Sequence, residues 1–352
     1  MKHFDVAIIG SGPISLFEAI HQAQQGKSVA IIEEKDNLGG AWASVEYEPG
    51  HRYEIGCHIW DVNKEAYRFV EEYLGEKLIP LNPPATAVWR DIKMPYDWKN
   101  NVIALRFLLE KPTQIFSSKR KFRMRVMARN YYYPKGGSEI LIKNLLSDVK
   151  RLNISVMKGS TVRSVQIDEA EINLVLDGYG ISVKELMCTS FSNFSEVIVK
   201  GEKLISSQEE EDFWHFQFVV EDNEARRMSY ARILGHPFIQ RVSDISFLNQ
   251  GGGQVFSIGV FVNSTQNMTR EDVVSMIESS LRNWKWLSPE AKVVKAFDNR
   301  YVMKRPGLEQ RQALINSGRV TFIQSTNLIF GIAQNADRWR KTVLRRQHLI
   351  FI

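Results

Sequence analysis

The chain has 352 residues, of which 44% are hydrophobic and 24% are charged, the composition of an ordinary soluble globular protein. Its 46 basic and 40 acidic residues leave a net charge of +6 that is spread along the chain, and we expect no nucleic-acid partner. No stretch approaches the roughly 20 consecutive apolar residues of a transmembrane helix. The first strand begins close to Met1 and leaves no room for a signal or transit peptide, which predicts a cytoplasmic protein.

The first forty residues have the pattern of a dinucleotide-binding βαβ unit. An apolar strand at 4–9 runs into Gly10-Ser11-Gly12-Pro13-Ile14-Ser15, and an amphipathic helix then extends to Gln25. A second strand at 29–32 ends on Glu33. Since strand, turn, helix, strand and acid follow in order, the pattern indicates a nucleotide site more strongly than glycines alone would.

Each position of this motif has a physical role. Gly10 permits the tight turn, Gly12 lets a pyrophosphate approach the backbone because it has no Cβ, and Ser15 is small enough for helix and strand to pack closely. The helix that begins near Pro13 offers free N–H groups and the positive end of its dipole to phosphates. Glu33 can accept hydrogen bonds from a ribose diol, and its charge disfavours the additional phosphate of NADP.

The remaining chain alternates helices with many strands, and it contains no internal repeat. A glycine-rich loop at 36–42 precedes an extended segment at 53–60 and a helix at 63–75, and the region 81–133 is irregular and then basic. An amphipathic helix is predicted at 139–151, and a second helix begins at its N-cap Thr269. Strands are predicted at 154–156, 162–167, 172–176, 186–189, 291–297 and 320–323, with mostly β-structure over 212–262 and a final helix at 333–347.

The cysteines and the charged clusters do not by themselves indicate a site. Cys57 and Cys188 lie in apolar stretches and are expected to be buried free thiols, and with their neighbouring histidines they have no metal-ligand spacing, so no metal site is predicted. The basic cluster at 119–129 is read as a solvated surface. The apolar tail at 349–352 could dock on the body of the protein, on a second subunit or on a membrane surface.

Four further motifs accompany the first turn. They are the acidic, basic and Leu-Gly-Gly run Glu33-Glu34-Lys35-Asp36-Asn37-Leu38-Gly39-Gly40, the segment Glu54-Ile55-Gly56-Cys57-His58, the turn Pro134-Lys135-Gly136-Gly137 before a helix, and the pair of strands beginning at Thr161-Val162 and Leu174-Val175. In order and spacing these motifs resemble the FAD-binding superfamily of flavin amine oxidases and protoporphyrinogen oxidases. UDP-galactopyranose mutases and phytoene desaturases are relatives of the same fold.

The resemblance implies an α/β fold and FAD as the cofactor. It implies a discontinuous Rossmann-like FAD-binding domain (1–62, 134–212 and 316–352), with a central parallel sheet and a β-meander, and an inserted α+β substrate or cap domain (63–133 and 213–315). The cofactor-binding residues that it implies are Gly10, Gly12, Pro13, Ser15, Glu33, Glu34, Lys35, Gly39, Gly40, Ala41, Trp42, Gly56, His58, Val162 and Ser325.

Two departures from the family pattern affect the predicted cofactor site. The family usually has Gly-Asp after its last strand, where the acid binds the ribitol phosphate of FAD, but here Ser325 and its neighbours occupy that place. The arginine that usually follows the second glycine pair is replaced by Ala41-Trp42. These changes could mean weaker FAD binding, a different flavin geometry, or a chain that kept the fold without redox chemistry.

The region 213–315 supplies the candidate substrate residues. Trp60, Tyr230, Arg241 and Tyr301 are predicted to face the substrate, and the basic residues of this region, which include Arg232, His236 and Arg300, favour an anionic one. No catalytic residue is identified. The predicted function is a flavin-dependent oxidoreductase for a small polar or anionic molecule, in natural-product or surface-sugar biosynthesis, with a homodimer as one possible assembly. The alternatives are a mutase-like nucleotide-sugar enzyme and a catalytically silent relative that works through protein contacts.

Overall fold

The computed structural model describes most of the chain, with several gaps. The described residues are 1–48, 51–54, 60–61, 71, 75, 77–80, 86–89, 92–95, 131–189, 192, 194–204, 208–222, 230–234, 236–246, 253–262, 265 and 267–323. Apart from residues 71 and 75, the helix predicted at 63–75 lies outside this part of the chain, as do the basic cluster, the helix predicted at 333–347 and the apolar tail.

Four α-helices and twenty-one strands are described. The helices are α1 (Pro13–Gln24), α2 (Glu139–Arg151), α3 (Arg270–Asn283) and α4 (Leu308–Asn316). The strands are β1 (Lys2–Ile9), β2 (Val29–Ile32), β3 (Ser44–Glu48), β4 (His51–Glu54), β5 (Trp60–Asp61), β6 (Leu78–Pro80), β7 (Thr86–Trp89), β8 (Ile92–Pro95), β9 (Tyr131–Pro134), β10 (Ser155–Met157), β11 (Val162–Ile167), β12 (Ile172–Leu176), β13 (Gly180–Thr189), β14 (Glu196–Val199), β15 (Glu202–Leu204), β16 (Gln208–Glu221), β17 (Tyr230–Leu234), β18 (Ile239–Asp244), β19 (Gln254–Phe261), β20 (Lys292–Pro306) and β21 (Val320–Ile323).

The first large sheet is the nucleotide-binding half of the fold. Its order is β10-β2-β1-β13-β12-β11-β14-β15, and β21 also pairs with β13. Strands β10, β2, β1, β13 and β21 run parallel, whereas β12 is antiparallel to both β11 and β13. The predicted fold class is therefore confirmed, since a central, largely parallel sheet is continued by an antiparallel meander.

The alternation of side chains along β1 and β2 explains why helices lie on this sheet. Ile8 and Ile31 point to one face, where Leu16 of α1 and Leu145 of α2 cover them. Ile9 and its neighbours point to the other face, into a cluster that includes the meander strands and α4. Strands buried on both faces read as continuous apolar runs, which is the pattern of residues 6–9 and 29–32.

The second large sheet has the order β20-β16-β19-β18-β17-β7-β8. Helix α3 covers one of its faces, and there Ile277 and Leu281 pack against Phe216 and Phe256. The helix begins at a capping box, in which Thr269 Oγ1 accepts from the backbone N–H of Asp272 and the carboxylate of Asp272 accepts from that of Thr269. The predicted N-cap is thus confirmed, and one face of the sheet is left without a described helix.

The structure differs from the predicted elements at three places. Helix α4 was not predicted, because its sequence has little apolar periodicity and buries only Gln310 and Leu314. Strand β20 extends well beyond the predicted 291–297, as far as Pro306. Strand β16 crosses the predicted boundary between 212 and 213, and Leu314 of α4 packs into the cluster of the first sheet although 213–315 was expected to belong to the other domain.

Membrane and metal features were also searched in the described part of the chain. No helix found there is long and apolar enough to cross a membrane. In the same residues, no group of three or more His, Cys, Asp and Glu side chains is arranged to hold a metal ion.

Candidate functional site

The turn after β1 forms the centre of the candidate site. Gly10 adopts a positive φ of 91°, and its N–H donates to the carbonyl of Ile32 at 2.8 Å, which ties the turn to the end of β2. Gly12 is the N-cap of α1 and has no side chain to cap the helix. A Cβ built on Gly12 would meet no atom within 4 Å. The N–H groups of the first helical turn therefore open onto free space, as an anion-binding helix terminus requires.

Glu33 is held in place by three hydrogen bonds from the protein. The backbone N–H and the hydroxyl of Ser11 donate to Oε2 at 2.8 and 2.6 Å, and the N–H of Lys35 donates to Oε1 at 2.9 Å. The side chain is buried, with 6% of its surface exposed. A carboxylate offers about four acceptor positions, so one position on Oε1 is left for a further donor such as a ribose hydroxyl.

The second glycine-rich segment lies directly on the first. The N–H of Gly39 donates to the Ser11 hydroxyl at 3.1 Å, and Gly40 has a φ of 58°. A Cβ on Gly40 would lie 3.4 Å from the Cα of Gly12, and a Cβ on Gly39 would lie 3.0 Å from Ile142 of α2. The two glycines thus permit a close approach of the 39–40 loop both to the Gly12 turn and to α2.

Ser15 lies beneath the same turn. Its side chain is buried, and Oγ has no hydrogen-bond partner among the described residues. A Cβ on Gly10 would lie 3.9 Å from this oxygen. A larger residue would separate α1 from the turn, and the hydroxyl is a polar group that a bound nucleotide could satisfy.

The other described residues of the predicted cofactor set occupy the same loops. Pro13 is the first residue of α1, where its missing N–H costs no hydrogen bond. Glu34 and Lys35 are exposed beyond the end of β2. Ala41 and Trp42 form a 3-10 turn with Gly40, and both are half-buried.

Val162, predicted near an adenine, is the first residue of β11 and is buried. The N–H of Ser160, two residues earlier, donates to the carbonyl of Glu33 at 2.9 Å. Val162 also belongs to the same apolar cluster as Ile9 and Ile32. The start of β11 is therefore tied to the loop that holds Glu33.

The ends of β13 and β21 complete this edge of the sheet, and the sequence analysis did not include the first of them. The N–H of Thr189 donates to the Ser192 hydroxyl at 2.8 Å, and that hydroxyl donates to the carbonyl of Ile9 at 3.2 Å. Thr189 pairs with Ile323, the last residue of β21. A Thr and a Ser directly after an apolar strand were the available signal for these residues.

A buried carboxyl group lies beside the Pro134–Ser138 turn. Oε1 of Glu54 accepts from the N–H of Ser138 at 2.8 Å, Oε2 bonds the hydroxyl of Tyr133, and the Ser138 hydroxyl lies 3.3 Å from that of Tyr133. Burial raises the pKa of Glu54 to about 7, although both hydrogen bonds oppose the shift. Glu54 was noted in the sequence only as part of a motif, and here it joins β4 to β9 and to the start of α2.

Several predicted residues cannot be placed. Gly56, His58 and Ser325 lie outside the described residues. For Trp60 and Tyr301 the structure describes the backbone, in β5 and β20, and not the surroundings of the side chain. Their predicted roles therefore stay predictions.

The predicted substrate residues on the second sheet lie on the face opposite α3. Across the sheet, Arg232 pairs with Arg241, Arg241 with Gly259, and Gly259 with His215. One row further along, the paired residues are Tyr230, Ser243, Ser257 and Gln217. We call these two rows the polar face. Tyr230 and Arg241 were predicted from the sequence, whereas His215 and Ser257 were not.

Two other basic residues from the same region lie away from the polar face. Arg300 pairs in register with Trp214, whose side chain belongs to the apolar cluster under α3, and its guanidinium bonds Asp212 at 2.6 Å. His236 packs edge-on against Trp284 at the end of α3. Both residues thus have structural neighbours on the α3 side of the sheet.

Comparison with known proteins agrees with this geometry. A family model described as an NAD(P)-binding Rossmann-like domain matches residues 8–73. Among curated proteins, no sequence matches the chain.

Solved structures show which fold the whole chain has. Wild-type putrescine oxidase bound to putrescine matches with a TM-score of 0.63 at 15% identity, covering 92% of this chain and 93% of that one. Reduced UDP-galactopyranose mutase matches with a TM-score of 0.62 at 13% identity, covering 90% and 89%. A candidate protoporphyrinogen oxidase from Exiguobacterium sp. 255-15 matches with a TM-score of 0.63 at 10% identity, covering 92% and 93%. The chain therefore has the fold of the flavin amine oxidase-like superfamily, with a Rossmann-like nucleotide-binding part at its N-terminus.

Proposed function

We propose that the protein is an FAD-dependent oxidoreductase of the amine oxidase and protoporphyrinogen oxidase type, acting on a small polar or anionic substrate. The observation that carries this proposal is the arrangement of Ser11, Glu33 and Gly39 around an open helix N-terminus. It is supported by a fold shared with putrescine oxidase and with a candidate protoporphyrinogen oxidase.

The described residues fit a dinucleotide. The N–H groups of the first turn of α1 face open space in front of Gly12, where a pyrophosphate would accept hydrogen bonds. Glu33 has one acceptor position left for a ribose hydroxyl, and the unpartnered hydroxyl of Ser15 lies beneath the turn. Gly40, packed on Gly12, would close the site from above.

FAD is favoured over NAD by the residues that lie beyond the first turn. The Leu-Gly-Gly loop packs on the pyrophosphate turn through Gly39 and Gly40, and a nicotinamide dinucleotide would not require this second loop. In the proposal, Glu34, Lys35, Ala41, Trp42, Gly56, His58, Val162 and Ser325 are further residues of the cofactor site. The carboxylate of Glu33 disfavours a 2′-phosphate at the ribose, because two negative groups would be in contact.

The protein's own contribution is binding and orientation. Bound FAD would supply the redox chemistry by accepting a hydride from a C–H bond of the substrate. Tyr230 and Arg241 on the polar face, with Trp60 and Tyr301, would bind and orient that substrate. The apolar layers on both sides of the first sheet would keep water from the nucleotide.

Two alternatives have specific support. A mutase-like enzyme acting on a nucleotide sugar is supported by the match to UDP-galactopyranose mutase and by the arginines of the polar face. A catalytically silent relative is supported by the absence of the Gly-Asp motif after β21. Glycines that cost conformational entropy are retained at 10, 12, 39, 40 and 56, which favours a chain that still binds its nucleotide.

An anaerobic reduction experiment separates these possibilities. The purified protein is loaded with FAD and mixed without oxygen with a panel of amines and of partly saturated ring compounds, and the flavin absorbance is followed. We expect at least one class to bleach the flavin. If instead only dithionite bleaches it and the reduced protein interconverts the ring forms of UDP-galactose, the mutase alternative is correct. If no FAD is retained, the silent relative is favoured.

A further inference from the structure

The polar face of the second sheet is buried although it consists largely of polar side chains. Ser243, Ser257, His215 and Gln217 are each at most 2% exposed. On the opposite face of the same strands, Phe216, Phe218 and Ile258 form the apolar cluster under α3. Because buried polar groups are costly unless they have partners, a sheet with one apolar and one buried polar face indicates a ligand-binding wall more than a packing surface.

Two arginines lie side by side on this face. Arg232 and Arg241 pair directly across β17 and β18, and both are half-buried. Residues that pair directly in an antiparallel sheet have Cβ atoms about 5 Å apart, and like charges in that position destabilise the sheet. Their neighbours in register on this face, Ala87 and Gly259, carry no charge. Among the described residues, neither guanidinium has an ion-pair or hydrogen-bond partner.

The side chain of Arg241 lies across a gap in the sheet. A Cβ built on Gly259 would be 3.1 Å from both Cγ and Nε of Arg241, so the side chain crosses the strand above this glycine. Its Nε is buried and has no hydrogen-bond partner in the described part of the chain. Beyond Gly259, the next residue in the row is His215, whose Nε2 shares a hydrogen bond of 2.7 Å with Ser257.

We propose that Arg232 and Arg241, with the Arg241 side chain lying over Gly259, bind an oxyanion group of the substrate, a carboxylate or a phosphate. A planar guanidinium pairs with both groups through two parallel hydrogen bonds, and the oxyanion relieves the repulsion between the two adjacent cations. The hydrogen-bonded pair of His215 and Ser257 then forms the fixed, uncharged end of the site. This assignment rests on the proposed function in one respect, namely that the bound molecule is the substrate of the flavin.

The test uses the full chain and two probes, sodium pyrophosphate and sodium succinate, titrated calorimetrically at constant ionic strength. We expect saturable binding of at least one probe by the wild type, and the two arms show whether the site prefers phosphate or carboxylate. Arg241→Gln should weaken that binding about ten- to a hundredfold, the loss expected for hydrogen bonds to a charged group. Gly259→Ala should also weaken it, because the new Cβ would displace the Arg241 side chain.

Arg300→Gln is the matched control. It removes the same charge from the other face of the same sheet, where Arg300 pairs with Asp212, and it should leave binding of the probe unchanged. Arg241→Gln should not lower the melting temperature of the free protein, since it relieves the repulsion with Arg232. The inference is overturned if the wild type binds neither probe, or if Arg241→Gln binds as tightly as the wild type.

FAD uptake, measured on the same preparations, distinguishes this inference from the proposed function. Binding of the probe that depends on Arg241 in a protein unable to take up FAD would leave the oxyanion site standing and refute the flavoenzyme. FAD uptake without probe binding would refute the oxyanion site alone.

Discussion

The hydroxyl of Ser11 donates a hydrogen bond of 2.6 Å to the carboxylate of Glu33 and accepts one of 3.1 Å from the N–H of Gly39. One side chain thus joins the turn after β1, the acidic end of β2 and the second glycine-rich loop. Because Glu33 is fixed before any ligand arrives, a nucleotide that binds there does not have to order the carboxylate.

Replacement of Ser11 by alanine tests this joint. The substitution removes a donor to Glu33 and an acceptor for Gly39, so FAD affinity should fall about tenfold and stability by about 1 kcal/mol. Flavin fluorescence titration and chemical unfolding measure the two effects. The control is Ser28→Ala, since Ser28 has a similar pair of bonds with Asp5 at the start of β1. It should lower stability only, and equal losses of FAD affinity in both variants would contradict the account.

Gly12 and Gly40 should respond differently to alanine. At Gly12 the backbone φ is −60° and a Cβ would point into open space, so the variant should fold with unchanged or slightly higher stability but bind FAD at least tenfold more weakly. At Gly40 the φ is 58°, so alanine should cost about 1–2 kcal/mol of stability as well. Unfolding curves and FAD titrations of both variants check this, and full FAD affinity in Gly12→Ala would disprove the proposed pyrophosphate position.

The buried carboxyl of Glu54 predicts a pH-dependent stability. Burial raises its pKa from an ordinary 4.5 to about 7, so below pH 4.5 both the folded and the unfolded chain carry the proton. Between these values the unfolded chain releases its proton first, and stability falls as pH rises, by at most about 1.4 kcal/mol per pH unit. Above about pH 7 this contribution is lost completely.

Glu54→Gln removes the titrating group and keeps the shape of the side chain. The amide oxygen can still accept from the N–H of Ser138, and the amide nitrogen can donate to the hydroxyl of Tyr133. Unfolding free energies measured from pH 4.5 to 8 should show a shallower decline for the variant than for the wild type. Parallel pH profiles of the two proteins would contradict the assignment.

Cys188 should be unreactive in the folded protein. It is fully buried in β13, and burial raises the pKa of its thiol to about 12, so almost no thiolate forms at neutral pH. In a Cys57→Ser variant, a thiol reagent such as DTNB should label no group before denaturant is added and one group afterwards. Rapid labelling of the native variant would show that the end of β13 is open to solvent.

The sequence was most informative where a local pattern determines the element. Helix α2 at Glu139–Arg151 and strands β11, β12 and β21 have the predicted bounds, because their apolar periodicity is strong and turn residues flank them. The nucleotide turn could be predicted for the same reason. Helix α4 was missed, since it covers the sheet through few apolar residues.

The polar face could not be predicted from the sequence. Arg232, Arg241, Gly259 and His215 lie on four strands, and their alignment depends on the order in which β16 to β19 pair. It also depends on an irregularity between Ile239 and Arg241, which sets the side of the sheet to which Arg241 points. A shift of one residue in register would move each of these side chains to the opposite face, and no single segment determines that register.

The most direct test of the account is the visible absorption spectrum of the protein after incubation with FAD and gel filtration, with the released cofactor identified after denaturation. The account predicts a yellow protein that releases one FAD per chain, and a Gly12→Ala variant that elutes colourless under the same conditions. A wild-type protein that elutes colourless, or one that retains NAD in place of FAD, would contradict the proposal that this chain is a flavoenzyme.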